Sequence, residues 1–263
     1  MKLVAVDIDG TFVNHQNEFD VVHFRQLFKK MQAQNIEFVV ASGNQYPHCR
    51  RLFPEDLQDQ INYVAENGAL VMAHGQEVFC GGVTFDTVKR AIAELEKIPG
   101  TQYIISSKTH GYVPAKFMPE FHDEVVYYYA QYHEYHDLDE LKDLPLLKLT
   151  ALVGKENVPA AVATFKNWPD LLVTSSGFGY LDMINPEMHK AAGLQKLSEY
   201  YGIAPEDMVV FGDSGNDKEM FRYAGRAYAM ANAEEQLKAL TDLRAPSNEE
   251  NGVLQVLDEL LVD

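Results

Sequence analysis

The stretch KLVAVDIDGTF, residues 2–12, decides the fold. Its apolar residues read as a short buried strand, and the run breaks on two aspartates, Asp7 and Asp9, before turning at Gly10 and Thr11. A buried strand gains nothing from carboxylates at its end, so the pattern needs a reason. Ligands in open α/β sheets gather at the carboxyl ends of the strands, which is where both aspartates fall.

Strands alternate with helices on either side of this stretch, the pattern of a parallel sheet wrapped by helices. Asp20 is placed to cap a helix in which Val21, Phe24, Leu27, Phe28 and Met31 recur at three and four. IEFVVAS (36–42) follows as a second buried strand ending at Ser42-Gly43, and INYVAENGAL (61–70) as a third running into an Asn-Gly turn. Gly81-Gly82 mark a flexible joint, after which the organisation changes.

Between residues 83 and 186 a helix over Phe85 to Ile98 precedes an extended pair around QYIISSKTHGYVP. An aromatic helical stretch comes next, with Val125, Tyr128, Tyr129 and Tyr132 on one face as packing or a subunit contact. Then come the strand LLKLTALVG, a helix over Val158 to Trp168, and the paired strands LLVTSS and GYLDMIN around Gly177. Adjacent strand pairs predict an antiparallel α+β module. After Asn185-Pro186 the alternation resumes with a helix from Lys190 to Tyr201, the strand MVVFG and a last helix carrying Leu254, Leu257, Leu260 and Leu261. The expectation is an α/β core domain, residues 1–82 and 187–263, with residues 83–186 inserted as a second domain.

At 263 residues the chain exceeds what one core usually organises, and hydrophobic residues at 46% describe an ordinary globular composition. No apolar run approaches the ~18 residues of a membrane span, and Asp7 interrupts the N-terminal run too early for a secretory segment. A cytoplasmic protein without a membrane partner is expected. Cys49 and Cys80 lack metal-ligand spacing and are expected as free thiols. A net charge of −17 argues against nucleic acid as a partner. A small phosphorylated ligand stays open, because a divalent cation and one lysine can reverse the local field.

Four further signals converge with the aspartates. Ser42 ends the second strand, Asp213, Asn216 and Asp217 follow MVVF in GDSGND, and Lys190 opens the helix that re-enters the core. Two carboxylates one residue apart, others from a second strand, a hydroxyl and a lysine suit phosphoryl transfer. A carboxylate can attack phosphorus and split hydrolysis into two easier steps. Mg²⁺ prefers oxygen ligands and is held by one or two carboxylates plus substrate phosphate. Ser42 and Lys190 would take the remaining phosphate oxygens.

In this order, DIDGT, ASGN, HKAAG and GDSGND resemble the motifs of the haloacid dehalogenase superfamily of phosphohydrolases. With ASGNQY, VAENGAL and TSSGFGYLDMI the chain looks like the Cof-type group, subfamily IIB, near the bacterial sugar phosphatases, over essentially its whole length. The resemblance implies a Rossmann-like core with an inserted cap of the C2 type lying over the site. It implies Asp7 as nucleophile and Asp9 as general acid/base. Ser42, Gly43, Asn44, Lys190 and Asn216 would surround the phosphate. Mg²⁺ would be held by Asp7, the backbone carbonyl of Asp9 and Asp213, with Asn216 and Asp217 in support. Many relatives carry arginine where this chain has Asn44, which removes a fixed cation and favours a singly phosphorylated sugar over a large polyanion.

Taken singly, Ser42-Gly43, Asn67-Gly68 and GDSGND read as turns, and Lys190 as a solvated lysine. Register with Asp7 gives Ser42-Gly43, GDSGND and Lys190 function, while Asn67-Gly68 is read as a turn rather than a substrate contact. His133 and His136 lack a third ligand nearby, while His189 is either structural or an imidazole near the leaving group. The expected activity is Mg²⁺-dependent hydrolysis of small phosphorylated metabolites, foremost sugar phosphates, by a monomer or homodimer. Two alternatives remain: a phosphatase of pyridoxal phosphate or flavin mononucleotide, and a phospho-acceptor or sensor modified on Asp7 without turnover. Leaving-group selectivity is expected in residues 83–186, with the loop Ser175 to Gly179 as reader and Gly81-Gly82 and Asn185-Pro186 as hinges.

Overall fold

β1 (Leu3–Val6) is buried along its whole length, as a strand with parallel neighbours on both sides must be. The computed structural model to which it belongs describes residues 1–118, 120–177 and 179–261, and at 175–177 the backbone alone. Parallel to β1 run β2 (Glu37–Ala41) on one side and β12 (Met208–Gly212) on the other. The sheet continues through β3 (Asn62–Ala65), β4 (Leu70–Ala73) and β5 (Gln76–Cys80) beyond β2, and through β13 (Arg226–Met230) and β14 (Arg244–Ala245) beyond β12. Its order is β14-β13-β12-β1-β2-β3-β4-β5, with β4 the antiparallel return of a hairpin from β3.

Helix Val21–Ala33 starts where Asp20 accepts a hydrogen bond from the amide of His23, and it buries Phe24, Leu27, Phe28 and Met31. Phe12 packs on Phe24 at 5.4 Å between ring centroids and on Phe19, Phe38 and Phe53 at 4.8, 5.7 and 5.6 Å. The turn carrying Asp9 is thereby anchored three residues on by a buried aromatic cluster.

The chain divides into two compact units: Met1–Gly43, Cys49–Phe79 and His189–Asp263 form the first, Asn44–His48 with Cys80–Met188 the second. The second holds a six-stranded sheet of order β10-β11-β9-β6-β7-β8. Its strands are β6 (Gln102–Ser106), β7 (Gly111–Pro114), β8 (Tyr132–Tyr135), β9 (Lys148–Leu152), β10 (Leu172–Gly177) and β11 (Tyr180–Ile184). One face packs Leu149, Ala151, Leu181 and Met183 against Val88, Ile92 and Leu95 of helix Phe85–Leu95 and Phe165 of helix Val158–Phe165.

Three expectations are corrected in this unit. The aromatic stretch is not one helix, because the helical segment is His122–Tyr128 and Tyr132 lies on β8. Val125 and Tyr129 pack with Ile104, Val113 and Phe121, whereas Tyr128 is exposed. The sheet is therefore not wholly antiparallel, since β8 pairs in parallel with β7. Gly82 is also not a loose joint. A Cβ there would lie 2.0 Å from the Leu146 carbonyl oxygen, Val83 donates to that carbonyl, and the Asn185 amide donates to the Gly82 carbonyl at 3.0 Å. Packing, not freedom, explains the glycine. Among the described residues no helix is long and apolar enough to cross a membrane.

Candidate active site

Three adjacent parallel strands end on polar side chains. Asp7 follows β1 with its amide donating to the Phe211 carbonyl at 3.1 Å, so the last rung of the ladder fixes the backbone beneath the carboxylate. Asp213 follows β12. Ser42 follows β2, its amide donating to Val64 and its carbonyl accepting from Asn67 at 3.0 Å.

The helix Lys190–Tyr201 brings in the cation. His189 caps it, its Nδ1 accepting from the Ala192 amide at 3.0 Å, which is the structural role of the two expected for that imidazole. Lys190 is wholly buried, with Nζ 2.5 Å from Asp7 Oδ1 and 2.6 Å from Asp217 Oδ1. The second oxygen of Asp217 accepts from the amides of Asp213 at 2.9 Å and Ser214 at 3.1 Å. One carboxylate thus orients the lysine and shapes the GDSGND loop.

Carboxylate oxygens of Asp7, Asp213 and Asp217 lie within 4.8 Å of one another. Burial raises Asp7 well above the usual carboxylate range, Lys190 opposes it, and the charges of Asp217 and Asp213 add to it. Asp213 is pushed up to about 6 by burial and then by Asp217, against a hydrogen bond from Thr11. Burial works against the Lys190 ammonium, but Asp217 and Asp7 outweigh it and hold its pKa above the ordinary value. Three carboxylates against one ammonium leave two negative charges in a site from which water is largely excluded. All three are hard oxygen donors, so the set fits a divalent cation such as Mg²⁺.

Asp9 is exposed, on a turn closed by the amides of Thr11, Phe12 and Val13 on the Ile8 carbonyl. Its carboxylate is not one of the clustered three, and its expected metal contact is through the backbone. Gly43 packs beside the Asn67 side chain, and Asn216 is exposed with Nδ2 3.4 Å from Asn67 Oδ1. Asn44 belongs to the second unit. His133 stacks on His110 at 4.5 Å between centroids. In the Ser175 to Gly179 loop Phe178 lies outside the described residues, as do the side chains of residues 175–177. Among the described residues neither Cys49 nor Cys80 forms a disulfide.

Sequence reasoning gave no role to three residues. Thr11 Oγ1 donates to Asp213 Oδ1 at 3.0 Å, tying the first motif to the last. Gly10 has φ +77°, and a Cβ there would lie 2.5 Å from Asp213 Oδ2, so this turn admits only glycine against that carboxylate. Asn67 touches the Ser42, Gly43 and Asn216 positions from the turn after β3. The signal for Thr11 and Gly10 was their place in DIDGT; for Asn67 it was only a turn dipeptide.

Residues 4–257 match the family of haloacid dehalogenase-like hydrolases. The chain is 37% identical to the Escherichia coli 5-amino-6-(5-phospho-D-ribitylamino)uracil phosphatase YbjI over 99% of this chain and 96% of that one. It resembles the crystal structure of SMU.1108c from Streptococcus mutans with a TM-score of 0.89 at 31% identity, covering 100% of both chains. It also resembles the subclass IIB sugar phosphatase BT4131 of that superfamily, with a TM-score of 0.78 over 100% of both chains, and at 20% identity that likeness shows the fold alone.

Proposed function

This chain belongs to the haloacid dehalogenase-like hydrolase family, as a phosphatase of it, and we propose that it hydrolyses small singly phosphorylated metabolites, foremost sugar and sugar-alcohol phosphates, in a Mg²⁺-dependent reaction through an aspartyl-phosphate on Asp7. The observation that carries this reading is the gathering of Asp7, Asp213 and Asp217 around the buried Lys190 ammonium. The ribityl phosphate named for the Escherichia coli relative supports a polyol leaving group.

An Asp7 carboxylate oxygen attacks phosphorus while the bond from phosphorus to the leaving oxygen breaks, and Asp9 gives that oxygen its proton. Asp9 then takes a proton from water, the water oxygen attacks phosphorus, and the bond to Asp7 breaks to release inorganic phosphate. Lys190 and Ser42 hold phosphate oxygens where negative charge spreads. Asp7, Asp213 and the Asp9 carbonyl would hold Mg²⁺, with Asp217 and Asn216 supporting them. When bound, the ion supplies positive charge that keeps the carboxylates ionised together and offsets the phosphate dianion. A second carboxylate placed to activate water argues against a stable phospho-acceptor.

The test is phosphate release from ~100 phosphorylated metabolites with Mg²⁺ or with EDTA, since specificity is a ratio of rates. Multiple turnovers with Mg²⁺ and none in chelator are expected. Full turnover in EDTA would overturn the metal assignment, and phosphate release that stops at one equivalent would favour the acceptor alternative.

A further inference from the structure

Gly10 lets the turn bend but does not hold it bent. Glycine enters the left-handed region about as readily as the right-handed one, so at a φ of +77° the course of the Asp9 backbone has to be fixed from outside. Precision matters there, because misplacing a catalytic group by about 1 Å can cost about 10²-fold in rate.

Two asparagines from distant loops supply the hold. Asn232, in the loop after β13, donates from Nδ2 to the Gly10 carbonyl at 2.7 Å. Its Oδ1 accepts from the Asn248 amide at 3.2 Å, which fixes which end of the side chain is nitrogen. Asn248 follows β14, is 9% exposed, and donates from Nδ2 to the Val13 carbonyl at 2.9 Å. Val13 pairs with Asp9 in an isolated β-bridge. Asp9 is thus held through its neighbour in sequence by Asn232 and through its neighbour in space by Asn248.

The loops behind the two asparagines are themselves fixed. The Glu234 amide donates to the Asp213 carbonyl at 2.8 Å, joining the loop of Asn232 to GDSGND without passing through Gly10. Asn248 begins a single helical turn, Asn248–Glu250, which the Ser247 hydroxyl caps by accepting from the Glu249 amide at 3.2 Å. Every member of this network lies in the first compact unit.

We propose that Asn232 is a positioning residue for the acid/base step, which with Asn248 sets where the Asp9 carboxylate stands. The inference rests on the reading of Asp9 as general acid/base given above. The amide of Asn232 carries no titratable proton, so whatever it contributes to proton transfer passes through Asp9. Its loss then matters only while Asp9 is an acid/base, which a double-mutant cycle reads directly.

The full-length protein with Mg²⁺ is assayed on 4-nitrophenyl phosphate as wild type, Asn232→Ala, Asp9→Asn and the double variant. Asn232→Ala is expected to lower kcat by about 10-fold or more and to leave KM within about 2-fold. In the Asp9→Asn background the same change is expected to cost less than about 2-fold. Asn232→Asp keeps an acceptor for the Asn248 amide but has nothing to donate to Gly10, and is expected to fall as far as Asn232→Ala. Asn232 is exposed, so the fold is expected to survive, and thermal melts check it. If Asn232→Ala fails to fold, Asn232→Asp carries the cycle; if neither folds, the bond is structural and the inference falls. An equal loss in both backgrounds, or no loss in either Asn232 variant, overturns the positioning role while the phosphatase reading stands. Asp9→Asn turning over like wild type overturns the acid/base assignment and the inference with it. A wild-type protein that releases no phosphate overturns the phosphatase reading as well.

Discussion

Lys190 Nζ donates to Asp217 Oδ1 across 2.6 Å with neither side chain exposed to solvent. Removing one partner of a buried pair costs about 3–5 kcal/mol when it strands the other charge, and less here, because Lys190 keeps Asp7. Asp217 also receives the amides of Asp213 and Ser214, which it holds by hydrogen bonds and not by charge alone. Asp217→Ala is therefore expected to lower unfolding free energy in chelator by less than that, chiefly through the lost loop bonds, and Asp217→Asn by less still, because its amide oxygen still accepts. Denaturant unfolding checks this; equal losses in the two variants would show that the loop bonds contribute little.

Asp7→Asn is expected to abolish turnover, since an amide is no nucleophile toward phosphorus. Asp9→Asn is expected to slow it about 10²–10⁴-fold with substrate binding retained, the usual effect of losing a general acid/base. Phosphate release and equilibrium binding separate the two, and near-normal turnover of Asp7→Asn would exclude the covalent route.

The raised carboxylates set a pH dependence. Asp213 titrates near 6 when folded against 3.8 ordinarily, and Asp7 is displaced in the same direction, so the folded chain binds protons more tightly than the unfolded one. Without a divalent cation their contribution is most favourable below the ordinary carboxylate pKa and is lost as pH rises through the folded values, to about 6 for Asp213. Mg²⁺ requires the deprotonated forms, so the rise in Tm that it produces is expected to be small at pH 5 and large at pH 7.5. Thermal melts with Mg²⁺ and with EDTA at both values test it, and a Tm increase that shrinks as pH rises would contradict the site.

Gly10→Ala is expected to weaken activation by Mg²⁺ at least about 10-fold while the core stays folded. The new Cβ would collide with Asp213 Oδ2 in a backbone region unfavourable to alanine, displacing a carboxylate by a fraction of an ångström. Mg²⁺ titration of activity reads the shift, and an unchanged midpoint would mean that Asp213 has room to move.

Local chemistry made much of this protein legible. Asp20 before an apolar face at three and four spacing, and buried runs ending on Asp7, Ser42 and Asp213, are short-range facts about capping, periodicity and strand ends, and the structure has them. The aromatic stretch misled because tyrosines suit a helix face and a pleated sheet alike. Parallel pairing with β7, which no local spacing encodes, makes Tyr132–Tyr135 a strand. Other properties also come from distant partners. Lys190, which alone reads as solvated, is buried because Asp7 and Asp217, 183 and 27 residues away, compensate its charge. Thr11 meets Asp213 over a separation of 202 residues. Gln45 donates to the Ser107 carbonyl, 62 residues away. Sequence determines which groups are available and where each strand stops. Their burial, and with it their charge, is settled by tertiary structure, because desolvation and Coulomb energies depend on what the rest of the chain brings within a few ångströms.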